Sequence, residues 1–497
     1  MSLEIADVYS RLGTTLGCAS RDYHDDGRRS GTDLFLDLHF RCIRRWFPFS
    51  SLAQGVDARL YGTATEGGDY NCYPEQNGCG TIFGISLKGK LTMLHVLEIN
   101  EGVTPYAGLL LGTSGSFYGT TVVGTVFMIR RTGHLTVLDS LCPQYPNCPY
   151  GDGLNGLIQA SDGSFYGTAY YGGNGLRDSC SGNQPGCGTI FKMTPGGTVS
   201  TFYDFCSQDS CIDGSNPIAN LVEGSDGYLY GLTTLGGTNC PPYGCGTVFK
   251  IAFDGTLVTL HSFNGNDGAS PIGALTQGRD GNLYGTTAYG GNLACTGGCG
   301  TVFKISPSGT FSTLYTFCVQ ANCPDGDGPD MGVNGLARAT DGNFYGVTQF
   351  GGANNAGTIF KITPGGKLTT LRSFSGSDGA EPWAAPIQAT NGILYGTTSN
   401  GGTNRCSCGT VYSLNVGLRP FVAFIHAVGQ VGQNGGILGQ GFTGTTSVTF
   451  KGVPSRFTVV SDTFIKATVP RGATTGYVTV TTPSAVLKSN VPFRVIP

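Results

Sequence analysis

Residues 280–317 read DGNLYGTTAYGGNLACTGGCGTVFKISPSGTFSTLYTF. Together with the ten residues before it, this stretch holds four strand-like segments: 271–277, 282–289, 301–306 and 310–317, designated A to D. Asp280-Gly281 joins A to B, and both residues tolerate the positive φ that a tight hairpin requires. Relatives of that turn recur at Asp162-Gly163, Asp226-Gly227 and Asp341-Gly342, and a second short glycine turn, 306–309, joins C to D.

The unit is copied along most of the chain. Its tyrosine recurs at Tyr61, Tyr118, Tyr166, Tyr230, Tyr284, Tyr345 and Tyr395, with Tyr118 to Tyr166 the shortest interval and Tyr166 to Tyr230 the longest. Repeats of four antiparallel strands predict an all-β fold, a seven-bladed β-propeller of four-stranded blades, because no single unit can bury both its faces. The last copy ends its C strand near Leu414 and lacks a D strand. Residues 32–40 (TDLFLDLHF) resemble a stray D strand, so they are expected to pair with 409–414 and remove two open edges. Beyond Leu418 the repeat gives way to period-2 alternation at Val448 and Phe450, Ile465 and Ala467, and Val478 and Val480. That pattern predicts a β-sandwich. The expected division is 1–30 unassigned, 31–417 propeller and 418–497 immunoglobulin-like.

Eighteen cysteines could mean metal ligands, catalytic thiols or disulfides, and their placement is paired. In the B–C loops stand Cys72/Cys79, Cys180/Cys187, Cys240/Cys245, Cys295/Cys299 and Cys406/Cys408. In the D–A loops stand Cys142/Cys148, Cys206/Cys211 and Cys318/Cys323. Copies that lack one partner lack both, as at 351–357 and 264–270, which is the pattern bonded pairs leave. Zinc sites would need four ligands at steadier spacing. Cys406/Cys408, with one residue between them, is the least suited to a bond. Cys18 and Cys42 fit neither class and are free to pair with each other. Disulfides imply an oxidising compartment, hence a secreted or cell-surface protein, although the opening residues 1–13 lack the basic start and apolar stretch of an export signal.

A net charge of −3 with 12% charged residues gives no pull toward nucleic acid or anionic lipid. No apolar run approaches the roughly 20 residues that span a bilayer. No GxSxG, HExxH or P-loop pattern occurs, and the GxGxxG at 151–156 precedes a strand, not a helix, so it reads as chance. The six histidines, His24, His39, His95, His134, His261 and His426, read as solvated edge residues, and Lys192, Lys250, Lys304 and Lys361 as the wet face of strand C.

Strands that alternate up and down place the long B–C and D–A loops on one face and the short turns on the other. An acid stands eight residues before the A-strand anchor in several copies: Glu101, Asp213, Asp267 and Asp378, with Asp152 and Asp327 in shifted loops. Because the D–A loop leads into the innermost strand, these carboxylates are expected to ring the channel mouth, where Ca²⁺ or a polar ligand could bind. The bland alternative is that Asp-Gly simply makes a turn. Tyr171 and Tyr243 in the same loops offer stacking surfaces for sugars, while the LYG tyrosines read as packing between blades.

The units LYGTT, GG and CGTVFKI resemble the bacterial tandem repeat called GloVer, found in surface or exported proteins with interchangeable anchors. GILGQGFTGTTSVTFKG (436–452), SDTFIKATVP (461–470) and GYVTVTTP (476–483) resemble the IPT/TIG immunoglobulin-like domain, which implies a spacer or adhesion module. The leading expectation is an extracellular, non-catalytic binding or adhesion protein whose long-loop face engages a glycan or protein. Two alternatives stand beside it: a polysaccharide-acting hydrolase or lyase with its site at the channel mouth, and a purely structural surface spacer.

Overall fold

A computed structural model describes residues 38–39, 47–68, 78–142, 151–173, 186–240, 243–329, 335–402 and 409–496. Its repeats form antiparallel sheets taken in chain order: sheet one 53–96, two 110–140, three 152–204, four 215–262, five 276–316, six 327–373 and seven 387–414. In sheet five the strands are Thr276–Gln277, Leu283–Thr287, Thr301–Ile305 and Phe311–Thr316, ordered as they occur in the chain. The fold is all-β and propeller-like.

Strand A is shorter than the sequence predicts. Pro271 has no N–H to give a ladder, and Ser270 before it adopts a left-handed φ of 47°. Only an isolated bridge, Ala269 to Tyr289, extends the pairing upward.

Burial follows strand position. Strand B of sheet five, LYGTT, is buried at every residue, and strand C, TVFKI, at all but its lysine. Strand D, FSTLYT, is only partly covered. A strand covered by neighbouring sheets on both faces must be apolar or self-satisfied throughout. The threonines comply by pairing: Thr287 and Thr301 share a hydroxyl contact of 2.9 Å, repeated at 2.8 Å by Thr348 and Thr358.

Glycine in the LYG triplet answers a spatial demand. Gly285 lies opposite Phe303 on strand C, and a Cβ there would stand 2.5 Å from the phenyl ring. The same Gly and Phe pairing recurs at Gly62 with Phe83, Gly119 with Phe127, Gly167 with Phe191 and Gly231 with Phe249. The adjacent tyrosine makes the contact between sheets: Tyr284 stacks on Phe344 at 4.2 Å, and Tyr61 on Phe117 at 4.4 Å. Its hydroxyl donates to the A–B turn, Tyr284 to Asp280 at 2.8 Å and Tyr230 to Asp226 at 2.6 Å. Burial then pushes the Tyr284 phenol well above its ordinary range, with Asp280 adding to the effect.

Each hydrophobic cluster of the repeats is shared between consecutive sheets. One joins the last to the first, through Leu52, Leu60 and Phe83 against Ala389, Tyr395 and Val411. Gln54 bonds Thr390 across the same junction, Nε2 to Oγ1 at 2.9 Å, and accepts the Thr390 N–H at 2.9 Å. The strand beside Thr410–Leu414 is Leu38–His39, in register Leu38 to Val411 and His39 to Thr410.

The C-terminal residues form two further four-stranded sheets, containing Asn434–Leu438 with Phe464–Thr468 and Ser447–Phe450 with Val478–Thr481. Between them lies a separate core that includes Ile437, Val448, Phe450, Ile465, Val480 and Phe493.

The Gly–Phe fit gives a direct test. Gly285→Ala overpacks sheet five and is expected to lower stability by about 1–3 kcal/mol. Thermal unfolding should register it, whereas Gly281→Ala, with open space around it, should cost only the strain of its positive φ.

Candidate functional site

The acids expected at the channel mouth mostly turn the other way. Glu101 meets His95 at 2.7 Å, Asp267 meets His261 at 3.0 Å, and Asp378 takes Arg372 at 2.5 Å. Asp213 accepts from Tyr203 at 2.9 Å and from the Ser207 N–H and hydroxyl at 3.1 and 3.0 Å. All five partners lie on or beside strand D, the outermost strand. In sheet six the corresponding acid is Asp325, not Asp327, and it accepts from Tyr315 at 2.8 Å. These carboxylates therefore fasten each D–A loop to the strand it leaves and do not converge on the channel. The reading of His95 and His261 as merely solvated is corrected likewise, since His261 is also stacked on Phe311 at 3.8 Å. Lys192 reaches Asp162 at 2.9 Å across the Tyr166 ring.

Where the chain enters strand A, one residue per repeat takes a left-handed conformation: Thr104, Asn216, Ser270 and Glu381, with Gly153 and Gly328 at the same step. Each N–H donates to the preceding sheet. Asn216 bonds the Cys187 carbonyl at 2.7 Å, Ser270 that of Cys245 at 2.9 Å, and Gly328 that of Cys299 at 3.3 Å. The second cysteine of a B–C pair thus presents the carbonyl on which the next sheet hangs.

Four disulfides are closed among the described residues: Cys206–Cys211, Cys240–Cys245, Cys295–Cys299 and Cys318–Cys323. Cys79, Cys142 and Cys187 are also disulfide-bonded; their expected partners Cys72, Cys148 and Cys180 lie outside the described residues, as do Cys406, Cys408, Cys18 and Cys42. Cystines of one sheet meet, for the sulfurs of Cys295, Cys318 and Cys323 all lie within 4.8 Å.

Two steps beyond the left-handed residue, each repeat carries a side chain on the way into strand A. Tyr106, Asn155, Ile218 and Trp383 occupy this place in sheets two, three, four and seven. Phe49, ahead of sheet one, joins them, 5.9 Å from Tyr106 and 4.9 Å from Trp383 in an edge contact. The Trp383 indole N–H is buried without a hydrogen-bond partner among the described residues. Tyr106, Asn155, Tyr170, Tyr171 and Ile218 enclose a small hollow of about 60 Å³. Of the two tyrosines singled out in the sequence, Tyr171 lines this hollow, against Tyr170 at 4.7 Å, and Tyr243 lies 48% exposed on another loop. The arc of Phe49, Tyr106 and Trp383 was not anticipated. Its signal was the residue two places past each left-handed step, a position visible only once the strand A entry is known.

Asp152 and Asp327 differ from the other acids. Each opens strand A, Asp152 opposite Tyr171 and Asp327 opposite Phe350, and Asp152 directly precedes Gly153 of the hollow. Burial raises the Asp152 carboxyl above the usual range. Burial also raises Asp327, and the neighbouring Asp325 adds to it. Carboxyls held in this way keep a proton at higher pH and suit general-acid chemistry. A larger hollow of about 540 Å³ lies along the outer edge of sheet four, at Leu257, Thr259 and Ser262, but its one histidine, His261, is committed to Asp267.

The sequence profile described as the Gloeobacter/Verrucomicrobia repeat matches residues 123–335 and 320–441. The match ends at residue 441, and the expected IPT/TIG likeness has no counterpart among the comparisons. No curated protein matches the chain. Among solved structures, virginiamycin B lyase from Staphylococcus aureus is similar at 13% identity and a TM-score of 0.49, over 75% of this chain and 96% of that one. PorZ, a surface component of the type-IX secretion system of Porphyromonas gingivalis, is similar at 12% identity and 0.45, over 90% and 59%. A gluconolactonase from Xanthomonas campestris is similar at 14% identity and 0.35, over 62% and 84%. The expectation of a non-catalytic adhesion protein is withdrawn here: a lyase and lactonases stand among these neighbours, a likeness of fold alone.

The loop fasteners make an acid-range prediction. Burial alone would raise the Asp378 carboxyl, but bonds from Arg372 and Ser375 hold it below the usual range. Its contribution is therefore complete above the ordinary carboxyl pKa of about 3.9 and is lost as pH falls through the lowered value. Asp378→Asn should lower the melting temperature at pH 7, and the gap to the parent should close in strong acid. A gap independent of pH would refute the ionic role.

Proposed function

Since the chain belongs to the Gloeobacter/Verrucomicrobia repeat family, we propose that its repeats are the blades of a seven-bladed propeller working as a polysaccharide-acting enzyme, with its site at the long-loop mouth of the channel. The core shared by the last and first sheets and the Leu38–His39 strand support the closed ring. The two facing sheets with their own core support an immunoglobulin-like reading of 418–497. Among the described residues no helix is long and apolar enough to cross a membrane, and disulfides fit an extracellular location, so the substrate is sought outside the cell.

The observation that carries the enzymatic reading is the meeting of aromatic side chains with a carboxyl, Asp152, whose pKa burial raises. Tyr106 and Tyr171, both partly exposed, give flat apolar faces to sugar rings, buried Tyr170 and Asn155 form the floor beneath them, with the Asn155 amide bonded to Thr168 and the Pro217 carbonyl, and Asp152 beside them is placed to protonate a departing glycosidic oxygen. Asp327 is the same position three sheets on. A hydrolase releases reducing ends, and a lyase leaves an unsaturated sugar.

Incubating the full-length protein with a panel of acidic and neutral polysaccharides tests this. Product is expected from at least one member, with activity falling as pH rises through the elevated carboxyl pKa, because the proton-bearing form does the work. Asp152→Asn is expected to lower kcat by about 10²-fold or more, and Tyr171→Ala chiefly to raise KM. No product from any member, or full activity in Asp152→Asn, would overturn the assignment.

A further inference from the structure

At the opposite end of the channel, the last side chain of strand A reaches back to the A–B turn of the sheet before it. Gln54 does this to Thr390, Gln277 accepts the Ser225 N–H at 3.0 Å, and Gln388 accepts that of Thr340 at 2.9 Å. Gln159 accepts more weakly from Thr113 at 3.4 Å. Three sheets depart from glutamine, and in sheet two the place is taken by the uncharged Leu111. Sheet six has Arg338, which donates to the Gln277 carbonyl at 2.9 Å, and sheet four has Glu223, which accepts from Ser161 N–H and hydroxyl at 2.8 and 2.5 Å. The other five sheets carry an uncharged residue here, so the belt alone does not account for charge at these two places.

The C-terminal residues account for it. Arg494 forms an ion pair with Glu223 and donates to the Gly224 carbonyl at 3.1 Å. Half-buried His426 lies beside the same pair and the Gln159 backbone, and Arg338 lies within electrostatic range of Tyr477. Elsewhere on the belt Thr463 donates to the Val56 carbonyl at 2.7 Å, Phe421 donates to that of Thr390 at 3.1 Å, and Leu438 enters the core of sheets one and two. The touched positions belong to sheets one, three, four and seven, so the points of contact are distributed around the ring.

We infer that residues 418–497 are a stopper docked over the short-turn end of the channel, addressed by the charged belt positions Glu223 and Arg338, so that ligands enter and leave by the long-loop mouth alone. The inference rests on the closed ring proposed above, but not on any catalytic activity. An ion pair whose arginine side chain is 20% exposed and glutamate 12% is poorly replaced by water, because removing one partner leaves the other charge without compensation. Glu223→Gln restores the residue used by the sister sheets and removes only the address.

Hydrogen exchange on the full-length protein tests the stopper. Glu223→Gln and Arg494→Ala should each speed exchange by about tenfold or more in peptides covering the A–B turns near Ser161, Ser225 and Thr390. Exchange in strands B and C should stay unchanged, and the charge-swapped pair Glu223→Arg with Arg494→Glu should recover at least part of the protection. Unchanged turns in both single variants would overturn the stopper. So would equal loss of protection throughout the ring in Glu223→Gln. Fast exchange at the Gln54 and Thr390 junction already in the parent would instead refute the closed ring beneath it, whereas the polysaccharide assay bears only on the enzyme.

Discussion

No repeat of this chain can cover its own two faces. Strands B and C are buried almost residue by residue, yet each repeat supplies only one sheet, so the second cover must come from a neighbour. The tyrosine of one repeat packs against the residue before the tyrosine of the next, Phe117, Phe165 or Phe344 in three cases and leucine in the others, until the last sheet returns to the first. Everything else is conditioned by that demand. The LYG glycine keeps room for the phenyl ring opposite, the threonine pairs satisfy polar atoms that water cannot reach, and the left-handed step at the head of strand A hangs each sheet on the carbonyl of the one before.

Such a scheme explains how much could be read from residues alone. Strand positions B, C and D follow from period-2 alternation and glycine turns, and in sheet five they agree with the observed strands within two residues at each end. The partner of 409–414 was legible too, because an edge without a mate must find one, and its register falls at Leu38 and His39. Strand A was overestimated: alternation says nothing about Pro271 and the left-handed residue before it. The LYG tyrosines were correctly assigned to packing between sheets, whereas their hydroxyl bonds to the A–B turn were not foreseen.

The candidate site was less legible for a specific reason. Loop sequence fixes which residues lie between two strands but not which way a carboxylate turns. Glu101, Asp213, Asp267 and Asp378 precede the innermost strand in sequence and still bond outward, because His95, Tyr203, His261 and Arg372 wait on strand D at hydrogen-bonding distance. Asp152 and Asp327 are two residues nearer strand A, and that short difference makes each the first residue of its strand. The aromatic arc has no motif of its own, being one position of the repeat occupied by a different side chain in each copy. Variation at a fixed place on a regular frame is how such a fold acquires one particular surface.

The closed ring is tested most directly by a double-mutant cycle between Gln54 and Thr390, which lie 336 residues apart in sequence. Unfolding free energies of Gln54→Ala, Thr390→Ala and the double variant give their coupling. A closed ring predicts a coupling of about 0.5–1.5 kcal/mol, the net worth of the shared hydrogen bond. Strict additivity of the two substitutions would contradict it.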